Sequence, residues 1–139
     1  MAGYSGTPLA TKLGIKQGDR VVVLAAPTAF DVVWPEGVTV RTRLGHRAPG
    51  PGPAADVIVF FATVRAELEK QIERLGEAVR PAGAVWIGWP KKSSRVPTEV
   101  NENVVRDVAL PRGLVDTKVC AIDDTWTGLK LVWRRSARG

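Results

Sequence analysis

The sequence contains few of the residues that build metal sites and disulfide frameworks. Its 139 residues include one Cys and one His. A single Cys excludes an internal disulfide framework and a metal cage made only of thiolates, and a single His excludes a multi-histidine site. One His also leaves little room for catalysis that depends on an imidazole. The composition therefore predicts no metal site and no set of catalytic residues.

Long apolar runs are absent as well. The most apolar stretches, residues 21–26 and 57–62, are each about six residues long, whereas a helix that spans a membrane needs about 20 residues. The beginning of the chain contains no uninterrupted apolar core of the length found in a signal peptide. We therefore predict a cytoplasmic protein with no membrane partner, in which the lone Cys stays reduced.

The overall composition is that of an ordinary globular protein. Hydrophobic residues make up 45% of the chain and charged residues 24%, which excludes a largely disordered chain. The length favours a single domain over residues 1–139. The formal net charge of +6 is the only compositional hint of a partner, and it favours an anionic one.

Apolar runs predict the strands. Three near-continuous runs are typical of strands buried on both faces of a parallel sheet: residues 20–25, 56–61 and 84–89. Residues 38–43 alternate between apolar and polar side chains, which predicts a half-exposed strand at a sheet edge. Two further runs, residues 114–122 and 127–135, flank a short connection and predict an antiparallel hairpin.

Helix signals lie between these strands. Thr7 is predicted to begin a short helix, Thr63 to cap a long one and Thr98 to cap a third. Residues Arg134–Gly139 are predicted to be a flexible tail. The apolar stripes are Val64, Leu68, Ile72, Leu75 and Val79 in the long helix and Val100, Val104, Val105 and Val108 in the next one.

The alternation of strands and helices predicts an α/β fold. Right-handed crossovers then give a single-domain, mostly parallel, Rossmann-like three-layer sandwich that ends in the antiparallel hairpin. The phrases LGIKQGDRVVVL and VRPAGAVWIGWP are similar to two segments of the class I S-adenosylmethionine-dependent methyltransferases. This resemblance implies a shortened methyltransferase-like fold. The implied strand order, by first residue, is 38, 20, 56, 84, 127, 114, with the strand at 127 antiparallel to its neighbours.

The chain departs from that family where the family binds its cofactor. Methyltransferases of this class follow their first strand with an acidic residue and a Gly-x-Gly turn, and their second strand usually ends in an acidic residue that binds the ribose. Here residues 24–30 contain no Gly, and the first acid is Asp31. The second strand ends with Arg41 and Arg43. We therefore predict no cofactor, and no binding of S-adenosylmethionine in the family's usual mode.

Longer phrases resemble a second family. MAGYSGTPLATKLGIK, WPKKSS and GLVDTKVCAIDDTWTGLKLVWRR are similar to the bacterial, mainly actinobacterial family named domain of unknown function 3052. The resemblance extends from residue 1 to about residue 135. It implies an α/β fold and a cytoplasmic bacterial protein, and it implies no activity.

A ligand site is predicted where the parallel strands end, because open α/β sheets bind ligands at the carboxyl ends of their strands. The Pro90–Ser94 loop offers two ammonium groups and two hydroxyls that suit a phosphate or carboxylate. A solvated loop with ordinary surface lysines is the alternative. The candidate residues are Pro27, Thr28, Asp31, Trp89, Lys91, Lys92, Ser93, Ser94 and Trp126.

Four other polar features have structural interpretations that we prefer. Asp123-Asp124 could form a carboxylate pair, but Asp is common in tight turns for its backbone geometry. Asp116 and Lys118 are two apart on one strand and predict a surface ion pair. Cys120 is predicted to be a buried, inert thiol. His46 lies in a Gly/Pro-rich loop and is predicted to be a surface residue.

The tryptophans are mostly predicted to be core residues. Trp86 and Trp89 are three apart on one strand and therefore face opposite sides of the sheet. Trp133 alternates with apolar neighbours and also belongs to the core. Trp126 could cover the apolar end of the sheet or line a cleft, and the sequence leaves both alternatives open.

Three hypotheses follow for function. The first is a non-catalytic module on a degenerate methyltransferase-like fold, which binds a small anionic ligand or a protein. The second is a divergent transferase, dependent on S-adenosylmethionine or not, that acts on a small anionic substrate with Thr28, Asp31, Lys91 and Lys92 in its pocket. The third is a nucleic-acid binder that uses Arg41, Arg43, Lys91, Lys92, Arg95, Arg134, Arg135 and Arg138, although no nucleic-acid-binding motif accompanies them.

Overall fold

The computed structural model describes residues 8–45 and 53–137. Helices and strands follow the predicted order, with three additional 3₁₀ turns at Lys92–Ser94, Leu110–Arg112 and Arg135–Ala137. Thr7, His46 and Arg138 lie outside the described residues. The main elements are α1 (Leu9–Lys12), β1 (Arg20–Leu24), β2 (Thr39–Arg41), β3 (Val57–Phe61), α2 (Arg65–Val79), β4 (Ala84–Pro90), α3 (Glu102–Ala109), β5 (Leu114–Ala121) and β6 (Trp126–Trp133).

The strands form one six-stranded sheet in the order β2-β1-β3-β4-β6-β5. The first four strands are parallel, and β6 runs antiparallel between β4 and β5. The predicted order is therefore confirmed, including the C-terminal hairpin. Every residue of β3 and β4 is buried, as continuous apolar runs predict for central strands.

The two faces of the sheet are covered differently. α2 and α3 pack on one face and bury the larger core, to which Trp89 and Trp133 belong. The other face is covered by α1, only four residues long, and by the segment between β1 and β2. Trp86 is buried on this second face, so Trp86 and Trp89 lie on opposite sides as predicted.

The predicted N-terminal cap of α2 is wrong. α2 begins after Val64, and Thr63 does not cap it with its hydroxyl. The backbone N–H of Arg65 instead donates to Oε1 of Glu99 at 3.0 Å. Glu99 lies 34 residues further along the chain, so a local pattern could not reveal this cap.

The predicted cap of α3 is also wrong. Asn101 is the N-cap, and its Oδ1 accepts from the N–H of Val104 at 3.0 Å. Thr98 accepts from the N–H of Val100 at 2.9 Å and so organises a turn before the helix begins. Both residue types satisfy free backbone N–H groups, but the turn displaces the helix start by three residues.

Asn101→Ala is expected to lower the free energy of unfolding by about 1 kcal/mol, because it removes the only side-chain acceptor at the start of α3 among the described residues. Asn103→Ala is the matched control, since Asn103 is exposed in the same helix. Urea unfolding followed by tryptophan fluorescence measures both variants. Equal midpoints for the two would contradict the assignment of the cap.

The predicted ion pair between Asp116 and Lys118 is wrong because β5 contains a bulge between them. Asp116 pairs with Leu131 and Lys118 pairs with Lys130, so the extra residue turns the two side chains to opposite faces. Asp116 accepts instead from Nε of Arg106 in α3 at 3.0 Å. The hydrogen bonds of Arg106 to Asp116 and Glu102 raise the pKa of its guanidinium above the usual value.

The second strand is shorter than predicted, and part of the predicted C-terminal tail is structured. β2 has three residues, all exposed, so Arg43 lies beyond the strand. Nη2 of Arg41 donates to the carbonyl oxygen of Ala54 at 2.9 Å. In the predicted tail, residues 135–137 form a 3₁₀ turn, and the side chain of Arg80 donates to the carbonyl oxygen of Ala137.

Within residues 8–45 and 53–137, no helix is long and apolar enough to cross a membrane. The same residues contain no group of three His, Cys, Asp or Glu side chains that could hold a metal ion.

Candidate functional site

The carboxyl ends of β1, β3 and β4 meet at one edge of the sheet, which we call the carboxyl edge. Leu24 pairs with Phe60, and Phe60 pairs with Ile87, so the three strands end nearly level. The segments predicted to converge there, residues 26–31, 62–63 and 90–95, therefore lie at this edge. These segments contain most of the candidate ligand-binding residues.

Three aromatic side chains form a row at the carboxyl edge: Phe30, Phe61 and Trp126. The ring centroids of Phe30 and Phe61 are 5.0 Å apart, and those of Phe61 and Trp126 are 5.2 Å apart, both in edge-to-face geometry. Phe61 is 3% exposed. Trp126 thus packs on the apolar end of the sheet, and because it is only half-buried, part of its side chain stays at the surface.

The turn after β1 brings Phe30 into this row. Ala25 has a φ of +57°, a left-handed conformation that is uncommon for a residue with a side chain. The N–H of Phe30 donates to the carbonyl oxygen of Pro27 at 3.0 Å and closes a turn. Thr28 and Asp31 are exposed, and Pro27 is half-buried. Thr28 and Asp31 therefore point away from the core while Phe30 packs on it.

The loop after β4 is held by its own hydrogen bonds. The N–H of Lys91 donates to the carbonyl oxygen of Thr125 at 2.7 Å, which ties the loop to the hairpin. The Ser94 hydroxyl donates to the carbonyl oxygen of Lys91 at 2.6 Å, and Arg95 is left-handed with a φ of +60°. Ser94 is therefore engaged in the turn. Lys92 and Ser93 are exposed.

Two other candidate residues, Trp89 and Lys91, are at least partly enclosed by the fold. Trp89 is 7% exposed and packs in the core on the α2 side, so it does not line the loop. Lys91 is half-buried, and neither it nor Lys92 forms a salt bridge with any residue in the described ranges. Among the residues of the Pro90–Ser94 loop that were predicted to bind an anion, Lys91, Lys92 and Ser93 remain available to a ligand.

Asp123 and Cys120 have the structural roles that we preferred. Oδ1 of Asp123 accepts from the N–H groups of Thr125 and Trp126, each at 2.8 Å, and so shapes the hairpin turn. Cys120 is 7% exposed, and burial raises the pKa of its thiol. The charges of Lys12 and Lys118 act in the opposite direction on that pKa but do not outweigh burial.

A cavity of about 530 Å³ opens at the opposite edge of the sheet, where β3 and β4 begin. Lys16 and Lys130 contribute its two ammonium groups, and Asp19 and Asp56 its two carboxylates. A Cβ placed on Gly14, which also lines the cavity, would lie 3.7 Å from Nζ of Lys130. We call this the amino-edge cavity. Sequence reasoning missed it, because its residues come from four separate segments of the chain, residues 13–19, 53–57, 81–84 and 130–132.

A second cavity, of about 490 Å³, lies beside α2. Its two arginines are matched by glutamates: Arg80 pairs with Glu77 at 2.8 Å and Arg112 with Glu73 at 3.6 Å. The guanidinium of Arg80 also lies 4.2 Å from the ring centroid of Trp133. Its charges are thus balanced locally.

Asp56 anchors the chain beside the amino-edge cavity. Its Oδ2 accepts from the backbone N–H of Arg20 at 2.8 Å and from Nε of Arg20 at 3.3 Å. Burial acts to raise the pKa of Asp56, but these hydrogen bonds and the charge of Arg20 outweigh it and hold the pKa below its usual value. The carboxylate is therefore more stable in the folded chain than in the unfolded chain.

This lowered pKa predicts a contribution to stability that is present above the unfolded pKa of about 4 and is lost as the pH falls through the lower folded pKa. Asp56→Asn removes the titrating group. The difference in unfolding free energy between wild type and variant should therefore be largest at pH 7 and shrink towards pH 2. Urea unfolding over that range measures it, and a difference independent of pH would contradict this account.

No family model matches the sequence, and no curated protein sequence matches it significantly. Solved structures do match. A methyltransferase dependent on S-adenosylmethionine from Aquifex aeolicus is 18% identical over 88% of this chain and 86% of its own, with a TM-score of 0.63. Aeropyrum pernix fibrillarin, solved with natively bound S-adenosyl-L-methionine, is 15% identical over 94% of this chain and 70% of its own, with a TM-score of 0.56.

A third match is a chain in the complex between the Haloferax volcanii Trm112 methyltransferase activator and a protein described as the putative methyltransferase. It is 11% identical over 91% of this chain and 87% of its own, with a TM-score of 0.55. The fold is that of the class I methyltransferases. The predicted methyltransferase-like fold is confirmed, and these low identities carry the comparison no further than the fold.

The methyltransferase-like fold here has an unusual carboxyl edge. Residues 24–30 supply an alanine and proline turn in place of the Gly-x-Gly turn expected from the resemblance. β2 ends in Arg41 in place of an acidic residue, and the guanidinium of Arg41 bonds to the backbone of Ala54, which precedes β3 at the opposite edge of the sheet. Glu99, whose N–H donates to the carbonyl oxygen of Thr63 at 2.7 Å, covers the N-terminus of α2.

Proposed function

We propose that this chain is a non-catalytic binding module that retains the methyltransferase-like fold and does not use S-adenosylmethionine. The observation that carries the proposal is the aromatic row of Phe30, Phe61 and Trp126 at the carboxyl edge. These rings pack against one another at the edge where open α/β sheets bind ligands. This packing supports the view that side chains close the edge at which a methyltransferase would have an open cofactor cleft.

The residues at this edge do not fit the cofactor in the family's usual mode. A Gly-x-Gly turn lets the backbone approach a ligand closely, whereas Ala25, Ala26 and Pro27 carry side chains there. An acidic side chain at the end of β2 would accept hydrogen bonds from ribose hydroxyls, whereas Arg41 can only donate.

Isothermal titration calorimetry with S-adenosylmethionine tests the proposal. The Aquifex aeolicus methyltransferase is the positive control. We expect no saturable heat from this chain at millimolar cofactor, and saturable binding by the control. Micromolar binding to this chain would reject the proposal.

A divergent transferase is the second candidate, and the fold itself favours it, because the matching structures are described as methyltransferases. Its pocket would use Thr28, Asp31, Lys91 and Lys92, which lie on the segments that meet at the carboxyl edge. Cofactor binding in the same titration, weakened by Lys91→Ala or Lys92→Ala, would support this candidate.

The identity of the partner is a further part of the proposal. The net charge of +6 supports a small anionic ligand, and the Haloferax volcanii complex supports a protein partner by analogy. Val33, which is 88% exposed, is an apolar side chain on the surface that such a partner could cover. A nucleic-acid partner ranks third, because no recognition motif accompanies the basic residues.

We also infer membership of the mainly actinobacterial family named domain of unknown function 3052, and hence a cytoplasmic bacterial protein. The support is the similarity of three long phrases, among them WPKKSS at residues 89–94.

A further inference from the structure

Lys118 and Lys130 are direct cross-strand partners in the β5–β6 hairpin. The bulge that turns Asp116 towards α3 also brings Lys118 into register with Lys130 on the face that α1 covers. Like charges directly opposite each other destabilise an antiparallel pair. Neither ammonium forms a salt bridge within the part of the chain that the structure describes. The arrangement therefore lacks an internal counter-charge.

Two more lysines add positive charge to the same face. Lys12 lies in α1, which packs on this face of the sheet. Lys16 lines the amino-edge cavity together with Lys130. We call Lys12, Lys16, Lys118 and Lys130 the α1 lysine cluster.

The carboxylates around the cavity only partly offset its ammonium groups. Asp56 is paired with Arg20, whereas Asp19 accepts from the uncharged backbone N–H of Lys16 at 2.9 Å and keeps its negative charge. With Arg20 included, three cations (Lys16, Lys130 and Arg20) face two carboxylates. Lys130 is half-buried, and its Nζ lies beside Gly14, 3.7 Å from where a Cβ of that residue would be. A cavity of about 530 Å³ is within the size range of pockets that hold small ligands.

We propose that the amino-edge cavity binds a small phosphate-bearing ligand, with Lys130 and Lys16 at the phosphate and Lys118 and Lys12 adding long-range attraction. Two ammonium groups that line one cavity favour a multiply charged anion, and a bound phosphate would relieve the repulsion between Lys118 and Lys130. The proposal goes beyond the function proposed above, since it does not depend on whether the carboxyl edge binds S-adenosylmethionine.

Inorganic pyrophosphate is the probe, measured by calorimetry at fixed ionic strength set with NaCl. We expect saturable binding by the full chain. Lys130→Met, which keeps the aliphatic stem, should weaken binding at least about tenfold, because it removes a charge-assisted contact. Lys118→Met should weaken binding less, because its charge acts from a longer distance.

Matched controls separate this site from general charge effects. Lys70 is exposed on α2. Lys70→Met changes the net charge by the same amount as Lys130→Met and should leave the pyrophosphate affinity unchanged. Lys92→Met is a competing-site test and not a control, because Lys92 belongs to the candidate anion-binding loop at the carboxyl edge: it reports whether pyrophosphate binds at that loop instead. The urea midpoints of Lys118→Met and Lys130→Met without ligand should equal or exceed that of wild type, because each removes the like-charge pair.

Three results would overturn the proposal: no saturable pyrophosphate binding, equal affinity in wild type and Lys130→Met, or loss of binding in Lys92→Met instead. Binding to single-stranded oligonucleotides that strengthens with their length, with none to pyrophosphate, would replace it with a nucleic-acid surface. S-adenosylmethionine binding would reject the non-catalytic function and leave this site untouched, so the two failures are distinguishable.

Discussion

Trp86→Ala is expected to lower the free energy of unfolding by about 4 kcal/mol, because it empties a large, fully buried site. Trp86 is 0% exposed and lies at the centre of the core that α1 covers. Its Nε1–H donates to the carbonyl oxygen of Leu13 at 2.9 Å, which fastens the end of α1 to the sheet. Chemical unfolding followed by far-UV circular dichroism measures the loss.

Two further variants show which part of Trp86 matters. Trp86→Phe keeps most of the buried surface and loses the hydrogen bond, so it should cost about 1–2 kcal/mol. Trp34→Ala, in a half-buried tryptophan of the same core, should cost less than Trp86→Ala. A cost below about 1 kcal/mol for Trp86→Ala would contradict its central role in this face.

The hydrogen bond between Trp86 and Leu13 also supports the wall of the amino-edge cavity. Gly14 directly follows Leu13, and Nζ of Lys130 lies over Gly14. Trp86→Phe should therefore loosen the wall of the cavity and weaken pyrophosphate binding, while the protein stays folded.

Phe61→Ala is expected to lower the free energy of unfolding by about 3 kcal/mol, because Phe61 is the buried centre of the aromatic row. Its removal takes away the partner of both Phe30 and Trp126. Equilibrium unfolding in urea measures the effect, and the summed emission of the five tryptophans should shift to longer wavelength as Trp126 gains exposure.

Phe30→Ala is the matched control for Phe61→Ala. Phe30 is half-buried and contacts one member of the row, so its loss should cost about 1 kcal/mol. If Phe30→Ala cost as much as Phe61→Ala, Phe30 would belong to the core itself. If neither variant changed stability, the row would not cover the edge.

The strands and their order could be predicted because they depend on local patterns and on a resemblance. Continuous apolar runs such as residues 57–61 can be buried only in the middle of a sheet. The opposite orientations of Trp86 and Trp89 follow from the period of two along a strand.

The helix caps and the amino-edge cavity could not be predicted, because their partners are distant in sequence. Glu99 caps a helix that begins at Arg65, which no window around Thr63 reveals. The register of Lys118 depends on a bulge that alternation along β5 does not indicate. At the carboxyl edge, the sequence predicted the converging loops, whereas the packing of Phe30 on Phe61 became visible only in the fold.

The most direct test of the central claim is to map S-adenosylmethionine onto the chain by ¹H–¹⁵N NMR. We predict that the amide signals of Ala25, Thr28, Thr63 and Lys91, which surround the carboxyl edge, keep their positions at millimolar cofactor. Saturable shifts of those same signals would contradict the claim and show that the methyltransferase-like fold still holds its cofactor there.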